Sequence, residues 1–96
     1  MLENRFKTKL IDELEELFPG CIVVHLDPNE IQGIPDLLIL FENKWAALEG
    51  KKSANASCRP NQEYYVNVME RMSFADFIYP ENKDQVLEAL SLYFMN

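Results

Sequence analysis

Residues 34–41 (IPDLLILF) and 45–52 (WAALEGKK) are two apolar runs of strand length with three polar residues between them. A gap that short holds a turn and nothing else, so the pair is read as a β-hairpin closing around Asn43-Lys44. Yet the hairpin carries Asp36, Glu49, Lys51 and Lys52, charges that an ordinary sheet has no need of. Side chains alternate faces along a strand, so Glu49 and Lys51 share one face by spacing alone and Lys52 points to the other. The turn decides where Asp36 falls. A loop of two residues (Asn43, Lys44) or four (42–45) sets Asp36 opposite Lys51 and Leu38 opposite Glu49, and all three charges meet on one face. A three-residue loop sends Asp36 to the opposite face, because a one-residue slip flips every side chain.

In the even register Asp36 and Glu49 are diagonal neighbours with Cβ atoms roughly 6–8 Å apart, within reach of a common cation. Two carboxylates, a strand carbonyl and several waters are what Mg²⁺ accepts, since it prefers oxygen ligands and keeps much of its hydration shell. Lys51 beside them is placed to stabilise charge developing on a phosphate under attack, or to activate the attacking water. The same spacing also describes an ordinary cross-strand ion pair worth ~0.2–1 kcal/mol.

The rest of the chain frames the hairpin. Leu2, Phe6, Leu10, Leu14 and Leu17 recur at helical spacing with charges between them, and Pro19-Gly20 closes that amphipathic helix. Residues 21–26 (CIVVHL) form a short β-branched strand, and 27–33 (DPNEIQG) a loop. Beyond the hairpin, 53–60 (SANASCRP) is a polar loop whose proline suits the first turn of a helix over 60–72, with Tyr64, Tyr65, Val68, Met69 and Met72 as its stripe. Residues 75–80 (ADFIYP) read as a fourth strand, and 82–95, with Val86, Leu87, Leu90 and Phe94, as a last helix. The expectation is a single α/β domain over residues 1–96, in the order α-β-β-β-α-β-α, with a mixed four-stranded sheet flanked by helices.

At 96 residues the chain has room for one core. No apolar run approaches the ~20 residues of a membrane span, and MLENRFKTKL lacks the apolar centre of a signal peptide, so a cytoplasmic protein without membrane association is expected. Cys21, Cys58 and a solitary His25 make neither a zinc site nor a disulfide framework. The net charge of −7 argues on its face against nucleic acid, whose affinity rests on phosphate neutralisation. The charge is uneven, however: residues 44–59 hold four bases and one acid in an otherwise acidic chain.

Gly33-Ile34-Pro35-Asp36, an apolar strand, Glu49-Gly50-Lys51, and Pro60-Asn61-Gln62 opening a helix together resemble the PD-(D/E)XK nuclease superfamily. Within it the likeness is to virus-type replication and repair (VRR-NUC) nucleases and to Holliday junction resolvases, especially small phage-type members. It covers nearly the whole chain, because the superfamily core has the element order read above. The resemblance implies Asp36 and Glu49 as metal ligands with the Gly50 carbonyl as a further one, Lys51 as the catalytic lysine, and Gln62 as a polar residue facing the site. It also implies that Glu3 is the first-helix acid that helps to hold the metal or its waters. Gly50 stands where an apolar β-former is more usual, and Glu3 lies close to the N-terminus. Lys44, Lys52 and Arg59 are surface charges around the same strand, suited to contacting phosphates.

The function implied is a Mg²⁺- or Mn²⁺-dependent DNA endonuclease, selective for branched DNA or Holliday junctions. Divalent ions would also invert the sign of an acidic site that otherwise repels phosphate. A protein this small with one site favours a symmetric homodimer on DNA. The alternative from a different class is a catalytically inactive module of the same fold that binds nucleic acid or a protein partner. RNA or single-stranded DNA as the substrate remains open at this level.

Overall fold

The computed structural model describes the backbone of residues 2–96 and the side chains from Asn4 onward. Its elements are α1 (Leu2–Leu17), β1 (Ile22–His25), β2 (Leu37–Phe41), β3 (Lys44–Gly50), α2 (Pro60–Met72), β4 (Phe74–Ile78) and α3 (Lys83–Met95), the expected order. The four strands form one sheet in the order β1-β2-β3-β4. The first three make an antiparallel meander and β4 pairs parallel to β3, with α2 as the crossover.

Each strand face has its own cover. On one face Leu37, Ile39 and Leu48 meet Leu10, Leu14 and Phe18 of the α1 region and Leu90 and Phe94 of α3, all of them buried. Phe18, Phe41 and Phe94 close this core with ring centroids 5.0–5.5 Å apart. Phe18 completes the α1 stripe, whereas Leu17, expected inside, lies out in solvent. The other face is covered by α2, whose Val66 packs on Ala47 and Ala75 with Met69 alongside. Two alanines let the helix sit close to the sheet, and they fix which way it is turned. Its inner stripe is Gln62, Val66 and Met69, running on to Ser73; of the expected stripe Met69 lies inside and Tyr65 and Val68 are half-buried, whereas Tyr64 and Met72 are more than half exposed.

The hairpin turn also differs from expectation. Phe41 pairs with Lys44, so Glu42-Asn43 is the two-residue loop and Glu42 takes the left-handed backbone conformation (φ 56°). Lys44 is held in β3 because its Nζ donates to the Tyr93 carbonyl (2.7 Å) and lies over the Tyr93 ring. Both turns have even length, so the strand faces are unchanged while the pairing slides by two residues. Continuing the register, Asp36 lies opposite Glu49 and not opposite Lys51.

At the β4 edge, Lys51 N–H donates to the Ile78 carbonyl, so Ile78 faces β3 and Phe77 turns its backbone outward. Those outward groups are taken by side chains: Phe77 N–H donates to Asp76 Oδ1 (2.8 Å), and the Phe77 carbonyl accepts from Asn82 Nδ2 (3.1 Å).

Candidate active site

Asp36 sits just before β2, behind the buried Pro35, and its carbonyl accepts from Leu26 N–H, which ties it to the end of β1. Its carboxylate turns toward β3. Asp36 Oδ2 accepts from the Gly50 N–H at 3.0 Å and lies 3.2 Å from Lys7 Nζ of α1. Glu49, on the same face, is only 5% exposed. A carboxyl so placed resists ionisation: burial first, and then the neighbouring Asp36, push it from the ordinary 4.5 up to about 7, against the opposing pull of Lys51 and Lys7.

Gln62 connects Glu49 to the lysine. Gln62 Nε2 donates to Glu49 Oε2 (3.2 Å), while Gln62 Oε1 accepts from Lys51 Nζ (2.8 Å) and from the Arg59 N–H (3.1 Å). The last bond caps the start of α2, with Pro60 at its first turn, so one amide both begins the helix and faces the site. Lys51 Nζ makes a second bond to the Ser57 carbonyl (3.0 Å), which fixes the ammonium in place.

The two glycines of the motif have spatial reasons. Gly33 has φ +94°, and a Cβ there would stand 2.8 Å from the Asn61 backbone, so the loop before Asp36 meets the start of α2 only with glycine at this position. At Gly50 a Cβ would come within 3.3 Å of Lys7 Cε and 3.4 Å of Asp36 Oδ2. The absence of an apolar β-former there makes space for the Lys7 side chain to reach Asp36.

Asp36, Glu49, Gly50, Lys51 and Gln62 thus line one cleft of about 480 Å³, with Lys52 and Arg59 on its wall. Lys44 does not join them, since it begins the strand that Gly50 ends, roughly 20 Å away at ~3.3 Å per residue. The Glu3 side chain lies outside the described residues. Lys7 belongs to the cleft and was not singled out from the sequence. A signal for it exists: Lys7 is four residues beyond Glu3 and three before Leu10, hence on the helix face that turns toward the sheet.

The donor set suits a hard divalent cation. Two carboxylates stand side by side, and Gly50, whose N–H already points at Asp36, carries its carbonyl on the same side of β3. The Lys7 ammonium beside Asp36 is a cation standing where positive charge is needed. Among the described residues no three His, Cys, Asp or Glu side chains come together, so the candidate side-chain ligands among them are two. Mg²⁺, which takes one or two carboxylates and fills its octahedron with water and substrate oxygens, is satisfied by such a set.

Among the described residues no helix is long and apolar enough to cross a membrane. No family model and no curated protein sequence matches the chain. Solved structures do. A structure described as "VRR_NUC domain" superposes with a TM-score of 0.73 at 24% identity, covering 98% of this chain and 99% of that one. Another, described as "VRR_NUC domain protein", gives a TM-score of 0.70 at 16% identity over 99% of this chain and 89% of that one. The chain has the α/β fold of VRR_NUC domain proteins over nearly its full length.

Proposed function

We propose that this protein is a divalent-metal-dependent endonuclease that hydrolyses phosphodiester bonds in DNA, with branched DNA or Holliday junctions as its substrates. The observation that carries this reading is the convergence of Asp36, Glu49, Lys51 and Gln62 in one cleft, where the Gln62 amide joins Glu49 to Lys51. Asp36, Glu49 and the Gly50 carbonyl would hold Mg²⁺ or Mn²⁺. When bound, the ion supplies a polarised phosphate and a more acidic water. Lys51, fixed by Ser57 and Gln62, aims its ammonium at the site and stabilises the charge that grows on the phosphate oxygens as water adds and the ester bond breaks. Gln62 is a positioning residue for Lys51 and Glu49. Lys52 and Arg59 on the cleft wall contact the flanking phosphates. We further propose that two copies act together as a symmetric homodimer on a junction; a monomer by light scattering at micromolar concentration removes that part.

The test is a cleavage panel of junction, flap, duplex and single strand, with Mg²⁺, Mn²⁺ or EDTA. Metal-dependent cutting of branched substrates is expected, and Asp36→Ala and Lys51→Ala each lower it by about 10²-fold or more. Unchanged cleavage in either variant refutes the assignment. An inactive module of the same fold would cut nothing in any lane.

A further inference from the structure

Behind Lys51, a second cleft of about 350 Å³ opens between the 53–58 loop, the start of α2 and the end of β4. Its chemistry differs from that of the first. Phe77 and Tyr79 supply aromatic surface, Glu63 and Asp76 supply carboxylates, and among the described residues Lys51 is the one cation on the wall. That ammonium is already bonded to Ser57 and Gln62 and lies 5.9 Å from the Phe77 ring centroid. A phosphate entering here would meet two carboxylates against the single charge of Lys51. The wall fits a flat, neutral group with hydrogen-bond donors on its rim. Asp76 Oδ1 accepts the Phe77 N–H, and among the described residues Oδ2 has no protein partner. Burial raises the Asp76 carboxyl above its ordinary pKa, as befits an acceptor that has lost part of its hydration.

We propose that this cleft receives an unpaired nucleobase bearing an amino group, next to the phosphate held at Asp36 and Glu49; the position of that phosphate rests on the nuclease reading above. Lys51 borders both clefts, so the phosphate and its neighbouring base lie on the two sides of one side chain. Aromatic stacking on Phe77 and donation from the amino group to Asp76 are the means by which proteins hold bases taken out of a duplex. A paired base cannot enter. Selectivity for branched or single-stranded DNA then resides in this cleft and not in the metal site.

Cys58 lines the cleft and serves as a reporter, while Cys21, against α1 at the start of β1, is an internal reference. Alkylation of both thiols by iodoacetamide is followed in the full chain with Mn²⁺ and short oligo-dC, oligo-dT or a fully paired duplex. Oligo-dC is expected to slow Cys58 more than oligo-dT does, duplex to leave it unprotected, and Cys21 to react at one rate throughout. Asp76→Asn keeps the acceptor for Phe77 N–H but presents a donor, so it reverses the preference toward oligo-dT. Phe77→Leu raises the half-protecting concentration by about tenfold. Equal protection by duplex, or an unchanged base preference in Asp76→Asn, overturns the proposal. Cleavage is scored in parallel: cutting without Cys58 protection removes the base cleft alone, and protection without cutting removes the nuclease reading alone.

Discussion

Replacing Glu49 by Gln removes a charge that the metal-free fold holds at a cost. The side chain is 5% exposed and faces Asp36, and its pKa rises from the ordinary 4.5 to about 7. Below pH 4.5 the carboxyl is protonated in both the folded and the unfolded chain and contributes nothing to the pH dependence. Between pH 4.5 and 7 the folded chain holds a proton that the unfolded chain has released, so stability falls as pH rises. Above pH 7 the full difference is present, roughly 3 kcal/mol at 1.36 kcal/mol per pH unit. Gln keeps the shape and the acceptor for Gln62 Nε2 and cannot ionise. Urea unfolding in EDTA at a series of pH values is expected to show the variant and the parent alike near pH 4.5, with the variant about 3 kcal/mol more stable at pH 8. If Asp36 and Glu49 hold the metal as proposed, Mn²⁺ reverses the order, because the parent then gains a binding energy that the variant, with one carboxylate fewer, lacks. A stability advantage of the same size at pH 5 and pH 8 refutes the argument.

Other perturbations probe the frame around the site. Gly33→Ala forces a left-handed backbone on a residue with a Cβ and drives that Cβ into Asn61, so a loss of about 1–3 kcal/mol is expected by urea unfolding; an unchanged midpoint sinks the close-approach argument. Lys7→Met removes the ammonium beside Asp36, and the Mn²⁺ concentration that half-raises the thermal midpoint should fall several-fold, whereas no change means that Lys7 does not compete for the site. Lys44→Ala, at the far end of β3, should leave cleavage within about twofold of the parent, and a larger loss would return Lys44 to the DNA interface.

Much of this was legible in the residues because short-range patterns carry it. The α3 stripe of Val86, Leu87, Leu90 and Phe94 is buried as its spacing requires, and Pro60 marks the start of α2. The parity of the hairpin is likewise a local property, which is why Asp36 and Glu49 share a face although the turn is one residue away from where Asn43 suggested. What escaped depends on distant parts of the chain. The turn is drawn to Glu42-Asn43 by Lys44 bonding to Tyr93 in α3, a contact between residues just over half the chain apart. The rotation of α2 follows from Ala47 and Ala75, small residues on two different strands. Lys7 reaches Asp36 across the space left by Gly50, and no spacing rule relates residues 7, 36 and 50.

The capped edge of β4 bears on how copies of the protein meet. Asp76 and Asn82 occupy the backbone groups that Phe77 would offer to another strand, so a neighbouring chain cannot pair at that position. Among the described residues no side chain does the same for β1, the opposite edge. A sheet with both edges open is a template for an endless ribbon, each copy adding to the last. With β4 blocked at Phe77, edge pairing between copies would run through β1, and β1-to-β1 addition about a twofold axis would end at a pair.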